Sequence, residues 1–305
     1  MSILLPLLAA LPLFASVPKP ASPYVRSPYL GAISVDASSG ETLFEENADG
    51  KGYPASVTKL MTAFLVLDDL AAGRLSLSDE VKASPTQTKT DVHYRQPSCT
   101  GLRTGESMTV DEMLKALMVN SANDAAIFLA EKCSGSVTGF VARMNAKAAD
   151  LGMNATRYFN PNGLPPPPWA KERHFNVSTC RDLSRLALAL LKEHPEILRY
   201  TSLKTWDVTA MGRPFLDGRT KKQIRWVNHN NVMVKDKYKV MNPDGSEAVD
   251  GLKTGFINAG GSSVILTGRR RDRRVVIVIL GSVSSKDREE AGVKLLTDAL
   301  GALVW

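Results

Sequence analysis

A serine and a lysine lie three residues apart in Pro54-Ala55-Ser56-Val57-Thr58-Lys59-Leu60-Met61-Thr62-Ala63-Phe64-Leu65-Val66-Leu67, at the start of a long apolar run. The run from Val57 to Leu70 contains no Gly or Pro and few charges, which predicts a helix that is buried on most sides and closed by Gly73. Ser56 then lies at the helix N-terminus, beside backbone N–H groups without helical partners and at the positive end of the helix dipole.

The i, i+3 spacing places Lys59 on the same helix face as Ser56, one turn deeper. A base beside a hydroxyl group is the minimum arrangement for covalent catalysis. Ser-x-x-Lys alone is a weak signal, because Ser16-Val17-Pro18-Lys19 has the same spacing in a Pro-containing N-terminal stretch. An N-cap serine followed by a chance lysine is therefore the alternative interpretation of this motif taken alone.

The composition is that of a globular protein, with 44% hydrophobic and 23% charged residues among 305. This length allows one substantial core or two closely packed lobes. The net charge of +7 suits contact with anionic surfaces. Its densest basic cluster, Arg269–Arg274, lies between two strand-like runs and is predicted to be a solvated hairpin tip rather than a docking patch for an anionic polymer or nucleic acid. We expect no nucleic-acid partner.

Residues 1–22 are predicted to be a signal peptide. The apolar run Ile3–Ala15 is too short and too interrupted by proline for a membrane-spanning helix, and cleavage is expected near Ala15 or Ser16. The signal is atypical because no Lys or Arg precedes the run. No other segment has the pattern of a transmembrane anchor, so we expect an exported protein, soluble or peripherally associated, in the periplasm or cell-wall space.

Histidine and cysteine give no metal-binding pattern. The three cysteines allow one disulfide or none, and no pair has the spacing of metal ligands. The four histidines include no His-x-x-x-His motif, and there is no Gly-x-Ser-x-Gly elbow. A zinc hydrolase and a histidine-based serine hydrolase are therefore disfavoured, and neither a metal nor a cofactor is expected. These residues are Cys99, Cys133, Cys180, His93, His174, His194 and His229.

Strand-like segments lie at both ends of the chain and helical segments lie between them. The predicted strands are Leu30–Asp36, Thr42–Asn47, Gly251–Phe256, Ser263–Gly268 and Val275–Gly281. The predicted helices after the first are Asp111–Met118, a further run that follows Val119–Ala126 and extends to Glu131, Phe140–Leu151, Asp182–Leu191 and Arg288–Leu300. This order predicts an α+β fold, in which terminal segments share an antiparallel sheet and the middle forms a helical lobe.

Two further motifs follow the Ser-x-x-Lys motif. Ser121-Ala122-Asn123 lies at a break between two predicted helices, and Lys253-Thr254-Gly255 lies on the first C-terminal strand. In this order the three motifs match the Ser-x-x-Lys, Ser-x-Asn and Lys-Thr-Gly elements of the active-site serine penicillin-interacting enzymes. Each motif alone could be chance, but all three on the expected elements are a strong signal.

Residues 25–300 resemble the D-alanyl-D-alanine carboxypeptidases among the low-molecular-mass penicillin-binding proteins. The resemblance implies a β-lactamase/transpeptidase-like fold. It also implies a serine peptidase that trims the terminal D-Ala from peptidoglycan stem peptides through an acyl-enzyme intermediate and is acylated by β-lactam antibiotics. The segments that carry it, besides the three motifs, are Asn120–Ala126, Asn160–Leu164, Ser178–Leu183 and Asp250–Gly261.

The resemblance also implies the catalytic roles. Ser56 would be the nucleophile and Lys59 the base that accepts its proton. Ser121 would relay a proton towards the leaving amine. The backbone N–H groups of Ser56 and Phe256 would form the oxyanion hole.

Substrate binding is assigned in the same way. Asn123 would hydrogen-bond the peptide chain of the substrate, and Lys253 would add positive charge. Thr254 would contact the terminal carboxylate, assisted by Arg288 on the last helix. Gly255 would let the substrate lie close against the strand.

The sequence departs from the family pattern in two places. Residues 25–305 are predicted to be a single catalytic domain without the C-terminal β-rich domain and membrane-binding helix of many members, so membrane anchoring is not expected. The segment Gln96–Gly101, which contains Cys99, also differs from the serine-rich loop expected at the rim of the cleft.

Three alternative functions remain. Glu172 and Asn176 have the Glu-x-x-x-Asn spacing of class A β-lactamases, but Glu172 lies only six residues before Ser178, which favours a solvated loop charge. A penicillin-binding sensor without turnover would not need an intact set of motifs. A D,D-endopeptidase that cuts peptidoglycan cross-links would use the same motifs. The choice between carboxypeptidase and endopeptidase depends on the width of the cleft.

Overall fold

The fold is described from a computed structural model, in which residues 22–85, 98–166 and 171–302 are described. Most of the predicted signal peptide, together with His93 and Gln96, lies outside these ranges. Within them no helix combines the length and apolar character needed to cross a membrane.

A five-stranded antiparallel sheet joins the two ends of the chain. Its strands are β1 (Gly31–Asp36), β2 (Thr42–Glu46), β9 (Val249–Ile257), β10 (Gly261–Arg270) and β11 (Arg273–Ser282), in the order β2-β1-β11-β10-β9. The N-terminal hairpin docks on the C-terminal strands because β1 pairs with β11, with Gly31 opposite Leu280. The predicted sharing of one sheet by terminal segments is confirmed.

Shorter strands form three two-stranded ribbons outside this sheet. They are β3 (Glu80–Lys82) with β4 (Ser107–Thr109), β5 (Thr205–Asp207) with β8 (Arg225–Val227), and β6 (Thr209–Ala210) with β7 (Arg213–Pro214). The last two ribbons were not predicted, because strands of two or three residues are too short to show a period-2 pattern.

The helices follow the predicted order. They are α1 (Lys59–Ala71), α2 (Val110–Met118), α3 (Asn123–Ser134), α4 (Val137–Asp150), α5 (Cys180–Glu193), α6 (Leu198–Thr201), α7 (Asn231–Val234) and α8 (Ser285–Ala302). The predicted first helix was wrong in one detail, because Ala55–Thr58 form a 3-10 turn and the α-helix begins only at Lys59. Ser56 therefore lies in the tighter turn before α1, where its hydroxyl is partly exposed.

The sheet is the middle layer of the molecule, with a separate core on each face. Ile265 and Val278 on β10 and β11 pack with the helical lobe. The neighbouring Leu266 and Ile279 point to the opposite face and pack with Leu296 of α8. Alternate residues enter different cores because side chains of a strand point alternately to its two faces. Burial on both faces explains why β10 and β11 read as nearly continuous apolar runs.

The break between α2 and α3 is set by local backbone geometry. Thr109 and Glu112 form a capping box that begins α2, and α2 ends at Met118. Ser121 has a φ of 57°, a left-handed conformation that is uncommon for a residue with a side chain, and α3 starts two residues later. Such outliers occur where the surrounding structure enforces them, often at functional sites.

The basic cluster forms the tip of the β10–β11 hairpin, as predicted. Arg271 at the turn has a φ of 56°, and Arg271 and Arg273 are exposed. Arg274 at the base of the tip instead pairs with Asp250 on β9 at 2.7 Å. The cysteines Cys99, Cys133 and Cys180 form no disulfide, which agrees with the second of the two predicted alternatives.

A buried carboxylate ties α1 to α4. Asp69 accepts hydrogen bonds from Arg143 at 2.6 Å and from Arg74 at 2.5 Å, and its own side chain is 2% exposed. The two guanidinium groups lower the pKa of this carboxyl below its usual value despite the opposing effect of burial.

We expect Asp69→Asn to destabilise the fold, because it leaves two guanidinium groups facing a neutral amide. Both arginines retain contact with water, so the loss should be smaller than the about 3 to 5 kcal/mol of a fully buried pair. Because the folded-state pKa is depressed, this contribution is present above the unfolded pKa and is lost as pH falls through the folded pKa. Thermal unfolding of Asp69→Asn and native protein between pH 7 and pH 2 should therefore converge at low pH. A constant difference across this range would contradict the assignment.

Candidate active site

The 3-10 turn holds Ser56 beside Lys59. The Nζ atom of Lys59 lies 2.8 Å from the Oγ atom of Ser56. The predicted nucleophile and the predicted base, three residues apart in the sequence, are therefore in direct hydrogen-bond contact.

Lys59 is completely buried and its amine has three polar neighbours. Besides Ser56, Nζ donates to the Oδ1 atom of Asn123 at 2.8 Å and to the backbone carbonyl of Asn162 at 2.7 Å. Burial lowers the pKa of Lys59 well below its ordinary value, and the positive charge of Lys253 lowers it further. Asp124 acts in the opposite direction but more weakly. The geometry and the electrostatics together favour an amine that can accept a proton.

Asn162 was not among the predicted site residues, although it lies in the segment Asn160–Leu164 that carries the family resemblance. The sequence signal for this contact was the Asn-Pro-Asn-Gly run itself, which predicts a tight turn but not what the turn touches. Its neighbour Gly163 has a φ of 83°, and a Cβ added there would lie 1.9 Å from the carbonyl oxygen of Ala55. Only glycine lets this turn approach the backbone beside Ser56 so closely.

Ser98 and Thr100, in the loop before β4, form hydrogen bonds with the start of α3. The Asn123 N–H donates to the carbonyl of Ser98 at 2.9 Å, and the Asp124 carboxylate accepts from the backbone and the hydroxyl of Thr100 at 2.7 to 3.0 Å. Burial raises the pKa of Asp124. These contacts hold Ser121 and Asn123 in the same cleft as Ser56.

The second approach to Ser56 is made by β9. A Cβ added to Gly255 would lie 2.6 Å from the carbonyl oxygen of Pro54 and 3.0 Å from the amide nitrogen of Ser56. A larger residue would push the strand away from the turn, so Gly255 sets the width of the cleft at this point. The next residue, Phe256, turns its side chain to solvent and is 59% exposed.

Cationic groups surround the inner end of the cleft. Lys253 is 2% exposed, and burial together with the charge of Arg288 lowers its pKa to about 7. His229 lines the cleft, and its partial removal from water together with the nearby positive charges of Lys253 and Arg288 lowers its pKa to about 4. A neutral imidazole among these groups at pH 7 marks a site that favours an anion. His229 was noted in the sequence only as an isolated histidine.

Arg288 is buried in the second turn of α8, where it lines the cleft. Its Nη2 atom lies 2.5 Å from the Oε1 atom of Glu289, and Glu289 also accepts from the side chain of Asn231 at 2.8 Å. The ion pair therefore holds the guanidinium in position, and one of its nitrogen atoms is already engaged with Glu289.

The predicted site residues converge on one cleft of about 480 Å³. Seven of them line it, and Lys59 and Lys253 are buried behind its wall. The seven are Ser56, Ser121, Asn123, Thr254, Gly255, Phe256 and Arg288.

The residues considered for a β-lactamase loop do not form such a site. The side chain of Glu172 is 81% exposed and contacts His174 at 3.0 Å. Asn176 is buried and structural, because its amide donates to the hydroxyl of Thr58 and accepts from the backbone of Phe159. Neither of them lines the cleft.

Among the described residues, one group has a geometry that could hold a metal ion, and it lies outside the cleft. It consists of Asp68, Glu193 and His194. His194 contacts Asp68 at 2.8 Å, and Lys147 pairs with the other oxygen of Asp68 at 2.9 Å. The carboxylate is thus already neutralised by a lysine.

Solved structures of penicillin-binding proteins share this fold. Penicillin-binding protein D2 from Listeria monocytogenes, solved in an ampicillin-bound form, is 27% identical with a TM-score of 0.68 over 90% of this chain and 96% of that one. The profile of the D-alanyl-D-alanine carboxypeptidase family, peptidase family S11, matches residues 23–284. The chain therefore belongs to this family.

Two curated relatives illustrate the range of the family. D-alanyl-D-alanine carboxypeptidase DacF of Bacillus subtilis is 31% identical over 87% of this chain and 60% of its own length. A D-alanyl-D-alanine endopeptidase of Escherichia coli is 29% identical over 82% of this chain and 70% of its own length. This chain spans about three fifths of the length of the first curated relatives that it matches.

We expect the Lys253 side chain to titrate with a midpoint near pH 7 in ¹³C NMR of its ε-carbon, far below an ordinary lysine. Arg288→Ala should raise the midpoint, because removal of a neighbouring positive charge favours the protonated amine. Lys286→Ala removes a positive charge from the exposed surface of the same helix, so it should leave the midpoint unchanged. A midpoint above pH 9 in the native protein would contradict this electrostatic picture.

Proposed function

We propose that this protein is a serine D-alanyl-D-alanine carboxypeptidase. The observation that carries the proposal is the contact of 2.8 Å between Ser56 and a completely buried Lys59 whose pKa is lowered. The proposed substrates are peptidoglycan stem peptides that end in D-Ala-D-Ala, and β-lactams act as covalent inhibitors. Family membership supports the reaction class, and the cationic cleft supports a substrate with a free carboxylate.

Acylation begins when the Ser56 oxygen attacks the carbonyl carbon between the two D-Ala residues and its proton moves to Lys59. The tetrahedral oxyanion accepts hydrogen bonds from the N–H groups of Ser56 and Phe256, which contribute about 3 to 4 kcal/mol per donor in comparable sites. As the C–N bond breaks, Ser121 passes a proton to the leaving amine, and Lys59 restores the proton of Ser121. The products are free D-Ala and an ester on Ser56.

Deacylation repeats these steps with water in place of the serine. Water gives a proton to Lys59 and attacks the ester carbonyl. The collapse of the tetrahedral intermediate returns the oxygen of Ser56, which takes the proton back. The close approach of Gly255 and the Asn160–Gly163 turn keeps the amine in a site from which bulk water is excluded, where its basicity differs from that in solution.

The terminal carboxylate is assigned to Thr254 and Arg288, with longer-range attraction from Lys253. Asn123 lines the cleft, and its Oδ1 atom accepts a hydrogen bond from Lys59. We assign its side chain to the recognition of the substrate's peptide chain, and Gly255 lets that chain lie along β9.

A D,D-endopeptidase is the second candidate, because one relative carries that name and the cleft is open to solvent at Phe256. Incubation with cross-linked and uncross-linked muropeptides, followed by product analysis, separates the two. Release of free D-Ala supports the carboxypeptidase, and conversion of dimers to monomers supports the endopeptidase. Stoichiometric penicillin binding without either product would indicate a sensor, and rapid penicillin hydrolysis would indicate a β-lactamase.

The proposed place of action is the periplasm or cell-wall space, where this substrate occurs. The apolar run Ile3–Ala15, which predicts export, and the net charge of +7, which suits an anionic polymer, support this location. Detection of the mature protein outside the cytoplasmic fraction of the host would test it.

We expect Lys59→Arg to lower the rate of acylation by a fluorescent penicillin by about 10²- to 10⁴-fold, the range of general-base contributions. Arginine retains the positive charge but stays protonated at all accessible pH values, so it cannot accept the proton of Ser56. Lys82→Arg, an exposed conservative control, should acylate at the native rate. Native-rate acylation by Lys59→Arg would assign the base elsewhere.

We expect Arg288→Ala to lower kcat/KM on D-Ala-D-Ala peptides by roughly ten- to a hundredfold, since a charge-assisted contact to the carboxylate is lost. The loss should be much smaller on peptides with an amidated C-terminus. Glu289→Gln breaks the ion pair but keeps the guanidinium, and it should preserve the difference between the two substrates. Equal losses on both substrates would make Arg288 a structural residue only and would favour the endopeptidase.

A further inference from the structure

A second cavity of about 640 Å³ shares no lining residue with the cleft, and Tyr53 in its wall lies three residues before Ser56. One wall is a run of aromatic rings, in which Tyr53 lies between Tyr24 at 4.5 Å and Phe175 at 4.8 Å between ring centroids. A second pair, Phe159 and His174, stacks at 4.8 Å, and the ring of Phe159 is 38% exposed. We call this cavity the aromatic groove.

The groove is also cationic. Lys51, Arg157 and Arg173 line it and are exposed, and no acidic residue is found among the described lining residues. Glu172 contacts the imidazole of His174 from outside the lining. Asn154 adds an amide group, whereas the hydroxyl of Thr156 already donates to Asp182 at 2.8 Å. Apolar rings, neutral hydrogen-bonding groups and guanidinium groups together match a polymer that carries sugar rings, hydroxyls and carboxylates.

Tyr53 and Phe159 each lie three residues before a residue of the candidate active site. Tyr53 precedes Ser56 by three residues, so their Cα atoms are at most about 11 Å apart. Phe159 likewise precedes Asn162, whose carbonyl contacts Lys59. A pendant peptide of about four residues extends about 13 Å. A polymer held in the groove could therefore present such a peptide to the cleft.

We propose that the aromatic groove binds the glycan strand of peptidoglycan, an anionic amino-sugar polymer, while its peptide enters the cleft. The proposal rests on the proposed function. A single-stranded nucleic acid could contact the same cations and rings. It carries no peptide for the neighbouring cleft, so the glycan strand is the occupant that the proposed function favours.

Binding is tested with full-length Ser56→Ala protein, so that catalysis plays no part. The probe is a set of fluorescent, peptide-free glycan strands with free lactyl carboxylates, prepared by amidase digestion of sacculi. Adding Arg157→Ala and Arg173→Ala should raise Kd at least about tenfold, since two charge-assisted contacts are lost. The matched control, Arg219→Ala with Lys222→Ala, removes two exposed charges outside the groove and should stay within about twofold.

Equal weakening by the two double variants, or no weakening by either, would overturn the proposal. So would displacement of the strands by a single-stranded oligonucleotide of equal charge, which would define a general polyanion surface.

A second measurement uses proteins with Ser56 intact. The Arg157→Ala, Arg173→Ala protein should release D-Ala from a short soluble peptide at the native rate and from strand-linked peptides at least about tenfold more slowly. Equal rates on strand-linked peptides would overturn the groove proposal. Absence of D-Ala release by the native protein from either substrate would instead refute the proposed function.

Discussion

The exclusion of water from one amine is the constraint on which the rest of this structure depends. An amine in solution is protonated at neutral pH and cannot take a proton from a hydroxyl group, so Lys59 can act as the proposed base only in a site that disfavours charge. Three segments distant in sequence make that site. The 3-10 turn contributes Ser56, the start of α3 contributes Asn123, and the Asn160–Gly163 turn contributes a carbonyl group. At Gly163 and Gly255 the backbone packs closely against the turn that carries Ser56, which helps to exclude water from this site.

The sequence predicted the fold to the extent that its patterns were long. The apolar run of α1, the strands β9 to β11 and the amphipathic α5 were recognisable because each repeats its period several times. The motifs predicted site residues that the fold brings together at one cleft. The 3-10 turn at Ser56 was not predicted, because a single tight turn of four residues has almost the same pattern as the first turn of an α-helix.

Other features could not be predicted from the sequence because they depend on contacts between residues from distant segments. Asn162 contacts Lys59 across 103 positions of sequence, and a local turn motif carries no information about that partner. The lowered pKa of His229 depends on its removal from water and on side chains from three different elements. The pairing of Arg288 with Glu289 was visible as an adjacent charge pair, but only the fold shows that both side chains are buried.

The pairing of β1 with β11 has a consequence for how the protein acquires its activity. A ribosome delivers Ser56 and Lys59 long before Lys253, and the edge of β1 stays unsatisfied until β11 arrives from the other end of the chain. Closing such a long loop costs entropy before any contact rewards it, which makes assembly slow and leaves apolar strands exposed meanwhile. The candidate site therefore needs both ends of the chain, because Thr254 and Gly255 on β9 line the same cleft as Ser56. A chain still under synthesis lacks this wall of the cleft.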